Sequence, residues 1–317
     1  MIEIKQIITA IEENISKVIV GKKEAIELIL IALLSQGHVL IEDVPGVGKT
    51  TMVSALARSL DLTFRRIQFT PDVLPSDITG FSMYNFKTGE MEFHQGMVMG
   101  QIILADEINR TSPKTQSSLL EVMEEHQITV DGTTYKLPQP FIVLATQNPI
   151  EYIGTFPLPE AQLDRFFLKV SIGYPSKREE MFILSRFQDD TPLDSLESVA
   201  SKDDILKLQK VTRSIRVAEP IRDYIADLVS MTRDHPDLSL GASPRGGIFL
   251  MRASQAHAIL DGRDYVIPDD VQKMVIPVLS HRLILKPEAR LKELTSERVL
   301  KSIINTVYVP LGGRHYD

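Results

Sequence analysis

Residues 38–51, HVLIEDVPGVGKTT, constrain the chain more than any other stretch. Val39, Leu40 and Ile41 form an apolar run with the length of a buried parallel strand. Pro45, Gly46 and Gly48 then permit a tight turn, and Met52, Val53, Leu56 and Ala57 follow in a helical pattern. Strand, glycine loop and helix, in that order, are the setting of a phosphate-binding loop. Pro45, Gly46, Val47, Gly48, Lys49, Thr50 and Thr51 would surround the phosphates, with free N–H groups at the helix start, Lys49 on the β and γ oxygens and the Thr50 hydroxyl on Mg²⁺. The full pattern asks for glycine at position 43, where this chain has Asp43. Its carboxylate must then be kept away from the phosphates.

Several function classes fall away on composition. No cysteine is present, which removes disulfides, thiolate catalysis and cysteine-held metals. A formal net charge of −7 argues against a general nucleic-acid coat, though not against a local basic channel. The 317 residues suffice for two domains. The opening MIEIKQIITAIEEN carries charges through what would be the apolar part of a secretory signal, and Ile26 to Leu34 is too short to span a bilayer. The expectation is a soluble, cytoplasmic chain with no direct membrane insertion.

Read in order, the first twenty residues carry isoleucines at helical spacing and predict one amphipathic helix ending near Gly21, followed by a second over 22–35. Val20 and Gly21 lie where a segment before the first strand can close over a nucleotide base; a plain core-and-turn role fits them equally well. Phe64 to Phe69 predicts a second strand. Residues 70–100 break the pattern with prolines and glycines and carry two short alternating runs around Lys87-Thr88-Gly89, which predict a β-hairpin standing out from a helical connection, with Phe81, Met83, Tyr84 and Phe86 either on its exposed face or packed onto the body.

Ile102 to Ala105 reads as a strand buried on both faces and ends in Asp106-Glu107. Ligands in open parallel sheets lie beyond the carboxyl ends of the strands, so both acids are expected near the phosphates. One of the two would hold the hydrated Mg²⁺ through water and the other would orient and deprotonate the attacking water; an acidic pair at an ordinary turn is the plain alternative. Residues 127–137 predict a second hairpin around Asp131-Gly132, and Phe141 to Ala145 a further buried strand. Asn148 just after it either polarises the water or belongs to an Asn-Pro turn. Arg165 precedes a fifth strand and is either a cation offered to a neighbouring subunit's γ-phosphate or the partner of Asp164 or Glu160. From about residue 175 the pattern turns helical, giving an α/β nucleotide-binding core over 1–174 and an all-α lid over 175–317. Ser243-Pro244 caps a helix there and puts Arg245 in its first turn, where the helix dipole disfavours a cation unless an anion binds.

Together these segments resemble the MoxR family of AAA+ ATPases. The resemblance runs from about Val20 to the terminal helices and rests on EDVPGVGKT, RIQFTPDVLPSDITG, LADEINR, LATQNPIEYIGTFPLPEAQLDRF and GASPRG. It implies an AAA+ P-loop core with a five-stranded parallel sheet and two β-hairpin inserts, followed by the helical lid. It also implies Walker A at Gly46, Gly48, Lys49 and Thr50, Walker B at Asp106 and Glu107, sensor 1 at Asn148, an arginine finger at Arg165 and sensor 2 at Arg245. Asp43 in place of the first glycine is frequent in loops of this kind. Further implications are ATP and Mg²⁺ as ligands, a hexameric ring with sites between subunits, and a protein client reached with a partner carrying a von Willebrand A domain.

On this reading Mg·ATP sits between core and lid, Arg165 acts from the next subunit, and Arg245 senses the γ-phosphate so that hydrolysis changes the angle between domains. Two rivals are a nucleic-acid motor and a slow nucleotide-dependent switch or scaffold. The hairpins set Lys87 against Glu90 and Glu92, and Lys136 against Asp131, which is poor chemistry for tracking a phosphate backbone. The switch would use the same site residues, so sequence does not separate it.

Overall fold

The computed structural model of the chain describes residues 2–148, 154–186 and 192–310. Two helices, α1 (Ile2–Ser16) and α2 (Lys23–Leu34), precede the first strand, β1 (Val39–Glu42), which leads into α3 (Lys49–Ser59). The chain continues through β2 (Phe64–Gln68), α4 (Pro75–Thr79) and the hairpin β3 (Gly80–Asn85) to β4 (Glu90–Gln95). Then come β5 (Ile102–Asp106), α5 (Pro113–Glu125), the hairpin β6 (Gln127–Val130) to β7 (Thr133–Lys136), β8 (Ile142–Gln147), α6 (Glu160–Leu163) and β9 (Leu168–Val170).

The five strands β2, β5, β8, β1 and β9 lie in that order, every pair parallel. The inner strands β1, β5 and β8 are apolar almost throughout, as strands covered on both faces require, whereas the edge strand β2 carries Arg65, Arg66 and Gln68 exposed. Alternation along the strands sorts side chains into two cores. Val39, Ile41, Ile102, Leu104, Ile142, Leu144, Leu168 and Val170 join the helices α1, α2 and α3. Leu40, Ile67, Ile103, Ala105, Val143 and Ala145 face α5 and the hairpin residues Ile128 and Leu137. A one-residue slip of β1 would exchange its faces.

The C-terminal region comprises α7 (Lys177–Arg186), α8 (Lys202–Ser214), α9 (Glu219–Arg233), β10 (Leu238–Leu240), α10 (Pro244–Leu260), α11 (Pro268–Leu279), β11 (Ile284–Leu285), α12 (Pro287–Leu291) and α13 (Ser296–Thr306). It is helical as expected, with one addition: β10 and β11 pair into a small antiparallel ribbon. Helices α8, α9, α10, α11 and α13 share one continuous hydrophobic core with α1, α2 and a face of the sheet. No described helix is long and apolar enough to cross a membrane.

Both hairpins form where the turn residues place them, and Asp131 and Gly132 take the positive φ of 48° and 79° that a tight two-residue turn demands. The N-terminal helix is shorter than its isoleucine pattern. It stops at Ser16, and Val18 and Ile19 form a single looser turn on Ile15 before Gly21 at φ 72°. Three β-branched residues in a row, Val18 to Val20, favour that break. Pro149 of the Asn-Pro turn, residues 150–153 of the resemblance stretch, and residues 187–191 and 311–317 of the expected lid lie outside the described residues.

Two histidines carry depressed pKa values: His38 is buried beside the sheet, and the half-buried His281 lies against the Phe166 carbonyl and Arg282. His38 accepts from the Val143 N–H at 3.0 Å, its other nitrogen lies 2.9 Å from the Met123 carbonyl, and burial pushes its pKa down to about 4. Burial, and then the Arg282 charge, hold His281 well below its ordinary value. Unfolding returns both rings to ordinary values near 6.5, so in mild acid the unfolded chain binds protons that the folded chain refuses. Stability is therefore complete above that value and falls as pH drops toward 4. Thermal melts at about pH 7.5 and about pH 5.5, a window above most carboxylate titrations, are expected to show a lower midpoint in acid. An unchanged midpoint would mean that the folded protein protonates these rings freely.

Candidate functional site

The phosphate loop follows β1 and ends at the first residue of α3. Gly46 and Gly48 have φ of 85° and 88°, in the left-handed region open to glycine. A Cβ at either would meet nothing within 4 Å, so it is the backbone conformation rather than crowding that calls for glycine. Val47 packs against the core while Pro45 and Gly46 are exposed. Thr50 and Thr51 lie half-buried in the first turn of α3.

Lys49 folds back to donate to the Asp43 carbonyl at 2.9 Å. Burial pulls its pKa below the usual value, while the charges of Asp106, Asp43 and Glu107 oppose that shift. These carboxylates are thus near enough to Lys49 to act on it.

Asp43 meets the demand that its position sets. Its Oδ1 accepts from the Val44 N–H at 3.0 Å, and its Oδ2 accepts from the Ile172 and Gly173 N–H groups at 2.5 and 2.6 Å. The carboxylate therefore ties the loop to the segment after β9.

Asp106 ends β5, and Glu107 follows with φ 59°, an uncommon value for a side chain of its size. Thr146, fully buried in β8, fixes the pair: its hydroxyl donates to Asp106 Oδ1 at 2.7 Å and accepts from the Glu107 N–H at 2.8 Å. Arg66 Nη2 donates to Asp106 Oδ2 at 2.6 Å and to Gln68 Oε1 at 2.8 Å. Gln68 in turn donates to Glu107 Oε2 at 2.8 Å, and Arg110 Nε lies 3.2 Å from the same oxygen. Asn148 is buried at the end of β8. Arg66, Gln68 and Thr146 lie inside the RIQFTPDVLPSDITG and LATQNPIEYIGTFPLPEAQLDRF stretches, but neither stretch marks them as partners of the acidic pair. The available signal is that each is a polar residue near the carboxyl end of a strand flanking β5.

All these groups lie at the carboxyl edge of the sheet. Val20 and Gly21 sit near the start of α7: Lys22 Nζ donates to the Tyr174 carbonyl at 2.9 Å, and a Cβ on Gly21 would collide with the Glu179 carboxylate. The turn and that close approach already account for glycine at 21.

Arg165 and Arg245 are elsewhere. Arg165 stands just before β9, hence at the amino edge of the sheet, and lines a cavity of about 230 Å³ with Gly37 and His38, which precede β1. Arg245 lines the same cavity, which includes no residue of the phosphate loop. β1 alone separates the two edges by roughly 13 Å at the usual rise per strand residue. The structure therefore does not bring Arg245 to the phosphate loop of its own chain. Nor does Arg165 pair with Asp164 or Glu160: its Nε lies 3.3 Å from Glu124 Oε2, and Arg245 Nη2 lies 2.6 Å from Glu124 Oε1.

Asp164 serves a different contact. It accepts from Ser243 Oγ and from Arg282 Nε, and Arg282 also donates to the Asp164 and Phe166 carbonyls. Burial lowers the Arg282 pKa to about 10, which still leaves it charged at neutral pH.

A model of the ATPase family associated with various cellular activities (AAA) matches residues 38–168, and an AAA lid domain model matches 230–303. The uncharacterized protein YeaC of Bacillus subtilis is 55% identical, covering 94% of this chain and 93% of its own. Chaperone MoxR1 of Mycobacterium tuberculosis is 42% identical, covering 94% and 81%. The crystal structure of a candidate ATPase from Cytophaga hutchinsonii superposes with a TM-score of 0.92 at 39% identity, covering 98% of this chain and 97% of that one. Fold and site define an ATPase of the AAA+ class. Within that class the chain belongs to the MoxR family.

Replacing Asp43 by glycine would restore the general loop pattern yet remove the acceptor of three backbone N–H groups. Asp43→Gly is expected to lower stability by about 1–3 kcal/mol, read as a drop of several degrees in the melting midpoint. An unchanged midpoint would show that water replaces the carboxylate at no cost.

Proposed function

We propose that this ATPase works as a hexameric ring that remodels a protein client, with each site completed by the next subunit. The observation that carries this reading is the placement of the arginines. The phosphate loop, Asp106 and Glu107 share the carboxyl edge of the sheet, whereas Arg165 and Arg245 share the amino edge. If both arginines serve hydrolysis, they serve a second copy's nucleotide.

In this assignment Pro45, Gly46, Val47, Gly48, Lys49, Thr50 and Thr51 bind the ATP phosphates, and Val20 and Gly21 border the base. Thr50 and Asp106 would hold Mg²⁺, which when bound draws charge from the phosphate oxygens. Asp106 must first exchange Arg66, and Glu107 must exchange Gln68 and Arg110, before Glu107 can take a proton from a water oriented by Asn148. Arg165 and Arg245 of the neighbour then meet the charge developing on the γ-phosphate. We take residue 174 as the end of the core and 175 as the start of the lid.

The client reading draws on the name of Chaperone MoxR1 and on the first hairpin, where Phe81, Met83, Tyr84, Phe86 and Met91 are all exposed. Remodelling, maturation and metal insertion are the kinds of work considered, with a von Willebrand A domain protein as adaptor and the cytoplasm as the place of action. The acidic hairpin tip disfavours a nucleic-acid track. The slow-switch alternative has one observation in its favour: both carboxylates are engaged by Arg66, Gln68 and Arg110.

Steady-state ATP hydrolysis is expected to rise in specific activity with protein concentration and to fall about 10²-fold or more in Glu107→Gln. Lys49→Ala and Arg165→Ala proteins, each inactive alone, are expected to regain activity when mixed, because some interfaces then join an intact loop to an intact arginine. Concentration-independent turnover by a monomer, or no recovery on mixing, would overturn the shared site. Turnover unaffected by Glu107→Gln would remove Glu107 as the base.

A further inference from the structure

The two arginines assigned above to the neighbour's phosphate are not independent of one another. Glu124, near the end of α5, gives one carboxylate oxygen to each: Oε1 to Arg245 Nη2 at 2.6 Å, Oε2 to Arg165 Nε at 3.3 Å. Without a negative charge between them, two neighbouring guanidinium groups would repel and their flexible side chains would part.

Glu124 and Arg245 each stand at the end of a helix that disfavours their charge. Glu124 lies in the last turn of α5 beside Glu121 and Glu125, where the helix dipole is negative. Arg245 lies in the first turn of α10, where it is positive. Each relieves the other's misplacement, so the contact brings the negative end of one helix to the positive end of another.

The bridge also leaves capacity for an anion. A guanidinium has five N–H donors, and each arginine spends one of them on Glu124. Arg252, one turn beyond Phe249 on the same side of α10, adds a third guanidinium to the cavity. Three cations against one carboxylate leave these four groups net positive. Glu124 therefore does not cancel the attraction for a phosphate.

We propose that Glu124 is a positioning residue for ATP hydrolysis: its bridging carboxylate sets the spacing of Arg165 and Arg245 so that both reach a single γ-phosphate held by a second copy of this chain. The inference rests on the shared-site reading above. Glu124 touches no reacting atom; it acts through the arginines.

The test is Glu124→Gln, which keeps the shape and removes the charge at an exposed position, assayed at protein concentrations that saturate assembly. Expected is a fall in kcat of about ten- to hundredfold with KM for ATP nearly unchanged, as when a reacting group is displaced by about an ångström. Binding of a fluorescent ATP analogue to dilute protomers should match wild type, since the phosphate loop lies at the other edge. In the double variant with Arg245→Ala, the two losses should fall short of multiplying, as for residues acting as one unit. Turnover equal to or faster than wild type in Glu124→Gln would show the carboxylate to be only an occupant of the phosphate's place and would overturn the proposal. Losses that multiply independently would overturn it as well. If Arg165→Ala and Arg245→Ala themselves leave turnover intact, the shared-site reading fails and takes the inference with it; if they abolish turnover and Glu124→Gln does not, the inference alone fails.

Discussion

Burial of β1 between β8 and β9 is the constraint on which the rest depends. A strand with Val39 and Ile41 in one core and Leu40 in the other cannot shift register without turning both cores out. Fixing β1 fixes the loop at its carboxyl end, and parallel pairing brings the ends of β5 and β8 alongside. Asp106, Glu107, Thr146 and Asn148 therefore converge from separate parts of the chain on one edge. The same pairing sends the residues that precede the strands, His38 and Arg165, to the opposite edge. A parallel sheet thus separates two chemistries by direction alone.

Much of this was legible because it is local or periodic. The buried strands show as continuous apolar runs, the second hairpin as Asp131-Gly132, and the helix starts as Ser112-Pro113 and Ser243-Pro244. What escaped is what depends on neighbours in space. The links that Thr146 and Gln68 make to Glu107 join strands far apart in sequence. The edge that Arg245 faces was not legible, because a cap and a dipole argument say which end of a helix a residue occupies, not what that end faces. The ribbon of β10 and β11 is too short for periodicity to register, with three residues in one strand and two in the other. Residue 43 shows the reverse case: the departure from pattern was visible, and its reason lay in the N–H groups of Ile172 and Gly173.

The acidic pair also shows how a site can be assembled yet held. Arg66 on Asp106, and Gln68 and Arg110 on Glu107, satisfy carboxylates that would otherwise face one another with Lys49 as their nearest cation. Charge-assisted contacts of this kind are strong enough to set a side-chain position and exposed enough to be exchanged. Thr146 keeps the backbone of the pair fixed through that exchange, since it binds the Glu107 N–H rather than the carboxylate.

Arg282 gives the C-terminal region a mechanical role. By gripping the Asp164 side chain and the carbonyls of Asp164 and Phe166, it clamps the peptide units on both sides of Arg165 to the end of α11. The α10 cap contributes as well, through Ser243 on the same carboxylate. A pull on Arg165 is therefore not absorbed by a soft loop; it is delivered to helices that share a core with α1 and α2. Under the proposed shared site, the C-terminal helices would work less as a door over their own chain's nucleotide than as a crankshaft, turning force received at one edge of the sheet into displacement of the body they are packed with.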